Sequence, residues 1–145
     1  MKARLIFIFL ALGPVLLSCG VGPEYGLLPI DCPNGEKLYF RREVRGLNYD
    51  ALSLSRNADY CSEPDKNEAF VFTSLDHEVF YKFIGDELHI YTMSGVNTPE
   101  NFSAKVKVVL HRLTNQEFIR LRDTYSDNGL VLVNVPTENH ILCLS

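Results

Sequence analysis

The 145-residue chain has no Gly-x-Ser-x-Gly elbow, no His-Glu-x-x-His helix, no glycine-rich phosphate loop and no Cys-x-x-Cys pair. Each absence removes a chemistry: the strained nucleophile turn of many hydrolases, the helical zinc site of metalloproteases, phosphate cradling by backbone amides, and dithiol redox or zinc-ribbon binding. No low-complexity tract or internal repeat is present. Long apolar runs are also lacking. The longest, LIFIFLALGPVLL from Leu5 to Leu17, covers roughly 20 Å as a helix against a hydrocarbon core of about 30 Å, and Gly13 with Pro14 would break it. Positive charge is scarce as well, with 14 Lys and Arg against 18 Asp and Glu. That balance disfavours nucleic acid and anionic lipid as partners, since both need a basic surface. No cofactor is expected.

What is present begins at the N-terminus. Lys2 and Arg4 precede the apolar run, which ends in Leu16, Leu17, Ser18 and Cys19, the order of a signal peptide's charged and apolar regions. LLSC resembles the cleavage box of bacterial lipoproteins. The resemblance implies that a lipid joins the Cys19 thiol, that residues 1–18 are removed, and that acyl chains hold the mature protein at a membrane, each buried CH2 adding ~0.8 kcal/mol. Gly20 follows the cysteine in place of the aspartate of an inner-membrane retention signal, which implies the periplasmic face of the outer membrane. The loss of Lys2 and Arg4 turns 14 basic residues into 12 against the same 18 acidic ones, in a mature chain of 127 residues. That length suits one domain. Residues 20–31, GVGPEYGLLPID, lack periodicity and are rich in glycine and proline. Together with Cys19 they read as a lipidated tether reaching roughly 20 Å, and 32–145 as the globular domain.

Three further cysteines lie in a compartment that permits disulfides. KLYFRREV (37–44) and YDALSLS (49–55) flank a turn at Arg45 to Asn48, so a hairpin pairs residues whose numbers add to about 93. Cys32 and Cys61 satisfy that sum and are predicted to bond, which contributes on the order of 3 kcal/mol. Cys143, within the apolar ILCL, reads as a buried thiol; its pairing with Cys32 or Cys61 is the rival arrangement.

AFVFTS (69–74), EVFYKFI (78–84) and ELHIYTM (87–93) have the β-branched and aromatic content of strands and form a predicted meander. The turn at Gly85 and Asp86 sets paired numbers adding to 171. Val79, Tyr81 and Phe83 then share the core face with Thr92, Ile90 and Leu88, while Phe80, Lys82 and Ile84 oppose Tyr91, His89 and Glu87 on the other. AKVKVVLHR (104–112) alternates again, with Val106, Val108 and Leu110 inward and Lys105, Lys107 and His111 outward. Thr114 and Glu117 form a capping box and Leu113 with Phe118 a hydrophobic staple, predicting a helix over about 115–126 that Asn128 and Gly129 stop. LVLVNV (130–135) and ILCL complete about eight strands. The expected fold is a mostly β antiparallel sandwich or small barrel with one helix.

Chemistry-bearing clusters are few. Asp76, His77 and Glu78 fall in a predicted turn where solvated charge is the ordinary outcome. His77, His89, His111 and His140 show no metal-ligand spacing. Asp59, Glu63, Asp65 and Glu68 lack the alternate oxygen ligands and central glycine of a calcium loop. The mixed face of Phe80, Lys82, Glu87, His89 and Tyr91 has the rings and charges of a protein-binding patch, unless the helix or another sheet covers it. The expected function is a lipid-anchored binding module that captures a protein partner, akin in size and address to lysozyme-inhibitor and immunity lipoproteins. A structural role in the envelope and an uncharacterised hydrolase are the alternatives.

Overall fold

The computed structural model describes residues 22–59, 61–62, 64–73 and 78–137. Nine strands and one helix occur among them, in the order β1 (Glu24–Asp31), β2 (Lys37–Arg45), β3 (Tyr49–Ser55), β4 (Phe70–Thr73), β5 (Val79–Ile84), β6 (Glu87–Thr92), β7 (Gly95–Asn97), β8 (Lys107–Arg112), α1 (Asn115–Thr124) and β9 (Val131–Leu132). They build two sheets, β1-β2-β3-β4-β7 and β8-β6-β5-β9. Among the described residues the fold is a mostly β sandwich with one helix, and not a closed barrel.

The core lies between the sheets because alternate residues of each strand are apolar and point the same way. Leu38, Phe40, Leu52, Leu54, Phe70 and Phe72 from one sheet meet Val79, Leu88 and Ile90 from the other, with Tyr81 and Phe83 packed beside them. Rings join across the gap, Phe40 standing 5.7 Å from Tyr81. Full burial of each such side chain contributes about 1.5–3 kcal/mol. The β5–β6 hairpin pairs Val79 with Thr92 through to Ile84 with Glu87, the register read from its turn, where Gly85 takes a φ of 58°.

Two expectations about chain path change. The meander is divided between the sheets: β4 pairs with β3 and β7, whereas β5 lies in the other sheet. The chain then leaves β6, adds β7 to the five-stranded sheet and returns as β8, so β8 runs parallel to β6. A crossover of this kind permits a parallel neighbour where a tight turn does not. The tether reading of 20–31 also gives way, since residues 24–31 form β1, paired throughout its length with β2. Its glycine and proline have other reasons. Pro29 sits on a strand with one strand neighbour, where a missing N–H is tolerated. A Cβ on Gly26 would meet the Pro136 carbonyl oxygen at 2.1 Å, because residues 135 and 136 cross there.

The Cys32–Cys61 disulfide is not formed. Because β1 is a strand, the chain reverses between β1 and β2, with Cys32 N–H donating to the Glu36 carbonyl at 2.8 Å and Gly35 N–H to the Cys32 carbonyl at 2.9 Å. Cys32 is therefore held in that turn as a free, buried thiol. The β2–β3 register also adds to 94, as Phe40 with Leu54 shows, one more than expected. Cys61 is disulfide-bonded, and since Cys32 is free its partner lies outside the described residues, as does Cys143 with the rest of the ILCL segment expected to be a strand.

The helix forms where its capping box predicts. Thr114 Oγ1 accepts from Glu117 N–H while Thr114 N–H donates to the Glu117 carboxylate at 2.8 Å, satisfying two otherwise unpaired groups. It ends at Thr124, two residues early, and Leu130 N–H closes the following turn on the Tyr125 carbonyl at 2.9 Å. Phe118 carries the buried side of α1 onto Phe80 and Leu130, with Leu113, Leu121 and Tyr125 around them. A third layer thus lies on the outer face of the four-stranded sheet.

Candidate functional site

That outer face is a three-strand ladder. β5 contributes Phe80, Lys82 and Ile84, β6 contributes Tyr91, His89 and Glu87, and β8 contributes His111, Val109 and Lys107, in register. α1 covers one end. Phe80 is 0% exposed, its ring 5.2 Å from Tyr125 and 6.1 Å from Phe118. Its expected place in a binding surface is therefore corrected: Phe80 is core, because the apolar stripe of α1 needs an apolar seat and Phe80 supplies it. Glu87 and His89 lie beyond the helix, while Lys82 and a half-buried Tyr91 sit at its edge, Tyr91 packing in part against the Phe80, Phe118 and Leu130 cluster.

The open part is tied by a chain of polar contacts. Lys107 Nζ donates to Glu87 Oε1 at 2.6 Å, His89 Nε2 lies 3.2 Å from Glu87 Oε2, and His89 Nδ1 lies 2.8 Å from His111 Nε2. The His111 ring stacks on Tyr91, centroids 4.4 Å apart and planes 10° from parallel. An ionised Glu87 can only accept, so His89 turns a protonated Nε2 toward it and shares a hydrogen bond through Nδ1 with His111 Nε2. The Lys107 hydrogen bond and charge, helped by His89, hold the Glu87 carboxyl below its ordinary range. Burial, and then the neighbouring His89 and Lys82, lower the His111 imidazole. Burial raises the Tyr91 phenol, so it stays a donor at neutral pH.

Beside the ladder a cleft of about 360 Å³ opens between α1 and the sheet, lined in part by Lys82, Tyr91, Leu113, Arg120, Leu121 and Leu130. Sequence patterning placed Lys107 and His111 on an outward face but could not bring them to Glu87 and Tyr91. That juxtaposition depends on the parallel pairing of β6 with β8, which has no local signal.

A second polar centre lies on the outer face of the five-stranded sheet. Arg41 and Glu43 alternate outward on β2, yet their side chains are each 5% exposed, because the segment between β3 and β4 folds over them. Arg41 Nη2 stands 3.7 Å from Glu43 Oε2, Nη1 donates to the Ser62 carbonyl, and the guanidinium lies over the Tyr25 ring. Its Nε has no hydrogen-bond partner among the described residues. Desolvation lowers the Arg41 pKa from its ordinary value, although the group remains charged. Arg45 Nε donates to the other oxygen of Glu43. Charges at every second position read as a solvated face, and only the long-range path of the loop buries them.

Among the described residues, the remaining sequence candidates do not converge. Asp76, His77, Glu63 and His140 lie outside the described residues, and Glu78 is exposed. Asp59 accepts from Cys61 N–H and Ser62 Oγ, each at 2.9 Å, bonds that lower its pKa. Asp65 accepts from Asn67 N–H at 2.9 Å. These carboxylates shape turns. Among the described residues no three His, Cys, Asp or Glu side chains are arranged to hold a metal ion. No family model matches the chain, and comparison with curated proteins and with solved structures finds no significant likeness.

Proposed function

We propose that this chain is a lipid-anchored binding module of the bacterial envelope, joined through Cys19 to the periplasmic face of the outer membrane, and that it captures a protein partner. The anchor is supported by the ordered cations, apolar run and LLSC at the N-terminus. Labelled palmitate should enter the wild-type protein and not Cys19→Ser; failure of the wild type to take up label contradicts the anchor.

One observation carries the binding reading: at the edge of α1 a stripe of stacked Tyr91 and His111 stays half-exposed, with Lys82, His89 and Glu87 around it. A purely protective outer face has no need of half-exposed rings. Tyrosine and histidine combine apolar area with a hydrogen-bonding edge, the mixture that anchors protein interfaces. Replacing His89 and Tyr91 by alanine should weaken capture of the partner by ~1–3 kcal/mol. Affinity capture from envelope extracts, followed by titration of the partner obtained, measures this; undiminished affinity in the folded variant refutes the placement.

A further inference from the structure

We infer that the cleft between α1 and β5–β6 receives a carboxylate borne next to an aromatic or branched apolar side chain on the protein partner. This deepens the binding reading and rests on it. The floor of the cleft is apolar, built from Tyr91, Leu113, Leu121 and Leu130, and two cations, Lys82 and Arg120, line it as well. Among the described residues no carboxylate lies within ion-pairing distance of either cation. Lys82 Nζ reaches the Asn128 carbonyl at 3.4 Å and lies 6.0 Å from the centre of the Tyr91 ring, which leaves its ammonium short of acceptors. The Arg120 guanidinium makes no side-chain hydrogen bond among the described residues.

The carboxylate that lines the cleft among the described residues is already engaged. Glu117 also lines the cleft, but its Oε2 accepts from both Thr114 N–H and Thr114 Oγ1 at 2.8 Å, holding it at the helix N-terminus and lowering its pKa. Asn128 Nδ2 is likewise turned inward, donating to the Thr124 carbonyl at 2.8 Å and to Thr124 Oγ1 at 3.0 Å. Two cations thus face one carboxylate that is already hydrogen-bonded and also feels the Arg120 charge, which leaves the cleft with an excess of positive charge around an apolar floor. In a chain with net charge −4, this local excess of cations selects the sign of the ligand. A volume of about 360 Å³ holds one large side chain with its neighbouring carboxylate and little more.

The probe pair is N-acetylphenylalanine and N-acetylphenylalaninamide, which share a shape and differ in charge. In NMR titrations of the purified protein, the acid should saturably shift the resonances of Tyr91, Leu121 and Leu130. The amide should bind about tenfold more weakly, the difference made by one charge-assisted contact. Lys82→Gln and Arg120→Gln, each with an unaltered thermal midpoint, should each weaken the acid about three- to tenfold and leave the amide unchanged. Equal binding of acid and amide, shifts confined to another surface, or no shift at tens of millimolar acid overturns the inference. If capture of the envelope partner still depends on His89 and Tyr91 in that event, the binding reading survives and this inference alone fails. Acid binding with capture that depends on Tyr91, Lys82 and Arg120 but not on His89 instead supports the cleft site and refutes the placement of the partner on the His89 edge. Acid binding with capture indifferent to Tyr91, Lys82 and Arg120 overturns the inference that the partner enters the cleft.

Discussion

Glu43→Ala should destabilise the domain by about 3–5 kcal/mol. The reason lies in what it leaves behind. Arg41, with a side chain 5% exposed, would keep its charge under the segment carrying Ser62, and among the described residues would retain a backbone carbonyl, the Tyr25 ring and the charge of Asp59, with no ion pair as direct as that to Glu43. A buried charge stripped of its counter-ion retains its desolvation cost without compensation. Arg41→Ala should cost less, because Arg45 continues to satisfy Glu43 from the exposed side. Arg41→Met combined with Glu43→Leu should cost less than Glu43→Ala alone, since removing both charges removes the desolvation cost of each. Urea unfolding of the three variants gives the ranking. A loss below about 1 kcal/mol for Glu43→Ala would mean that water reaches the pair and that the covering segment is not fixed by it.

Phe80→Ala carries a comparable effect for a different reason. The ring is fully buried and joins the sheet to α1 through Phe118 and Tyr125. Its removal should cost about 3–5 kcal/mol, the sum of lost transfer energy and the cavity that α1 cannot fill by moving. The capped first turn of α1 would remain, but a ten-residue helix is marginal in water without a packed face. The loss should therefore appear both in urea unfolding and as faster amide exchange in α1. A variant with stability near wild type would show that α1 does not depend on this seat and that Phe80 belongs to the open surface after all.

The parts of this fold legible in the sequence are those fixed by near neighbours. The hairpin at Gly85 follows from a two-residue turn, and the helix start from the reciprocal geometry of Thr114 and Glu117. The sorting of Leu88 and Ile90 against His89 and Tyr91 follows from a period of two. The parts that were not legible depend on distant chain. Tyr25, Gly26 and Pro29 look like tether residues until β2 pairs with them and Pro136 crosses over Gly26. Cys32 satisfies an arithmetic pairing with Cys61 only if the chain before β2 continues straight, and β1 turns it back instead. Within the candidate site, the sequence placed Lys82, Glu87, His89 and Tyr91 on one face. It could not separate Phe80 from them, because a strand residue's cover comes from an element whose docking has no local signature. His111 and Lys107 needed the parallel register of β8, which arises from the excursion through β7.

The central claim is that α1 divides one sheet face into a sealed half and a binding half. Tyr91 and Phe80 are directly paired across β5 and β6, so they give the sharpest comparison available. The deciding measurement sets partner affinity against unfolding free energy for Tyr91→Ala and Phe80→Ala, both titrated under conditions where each variant is folded. Tyr91→Ala should lose affinity by ~1–3 kcal/mol with a stability loss of at most about 1–2 kcal/mol, whereas Phe80→Ala should lose about 3–5 kcal/mol of stability while its folded form still binds. Equal stability losses at the two positions, or a Tyr91→Ala domain that binds its partner as tightly as wild type, would contradict it.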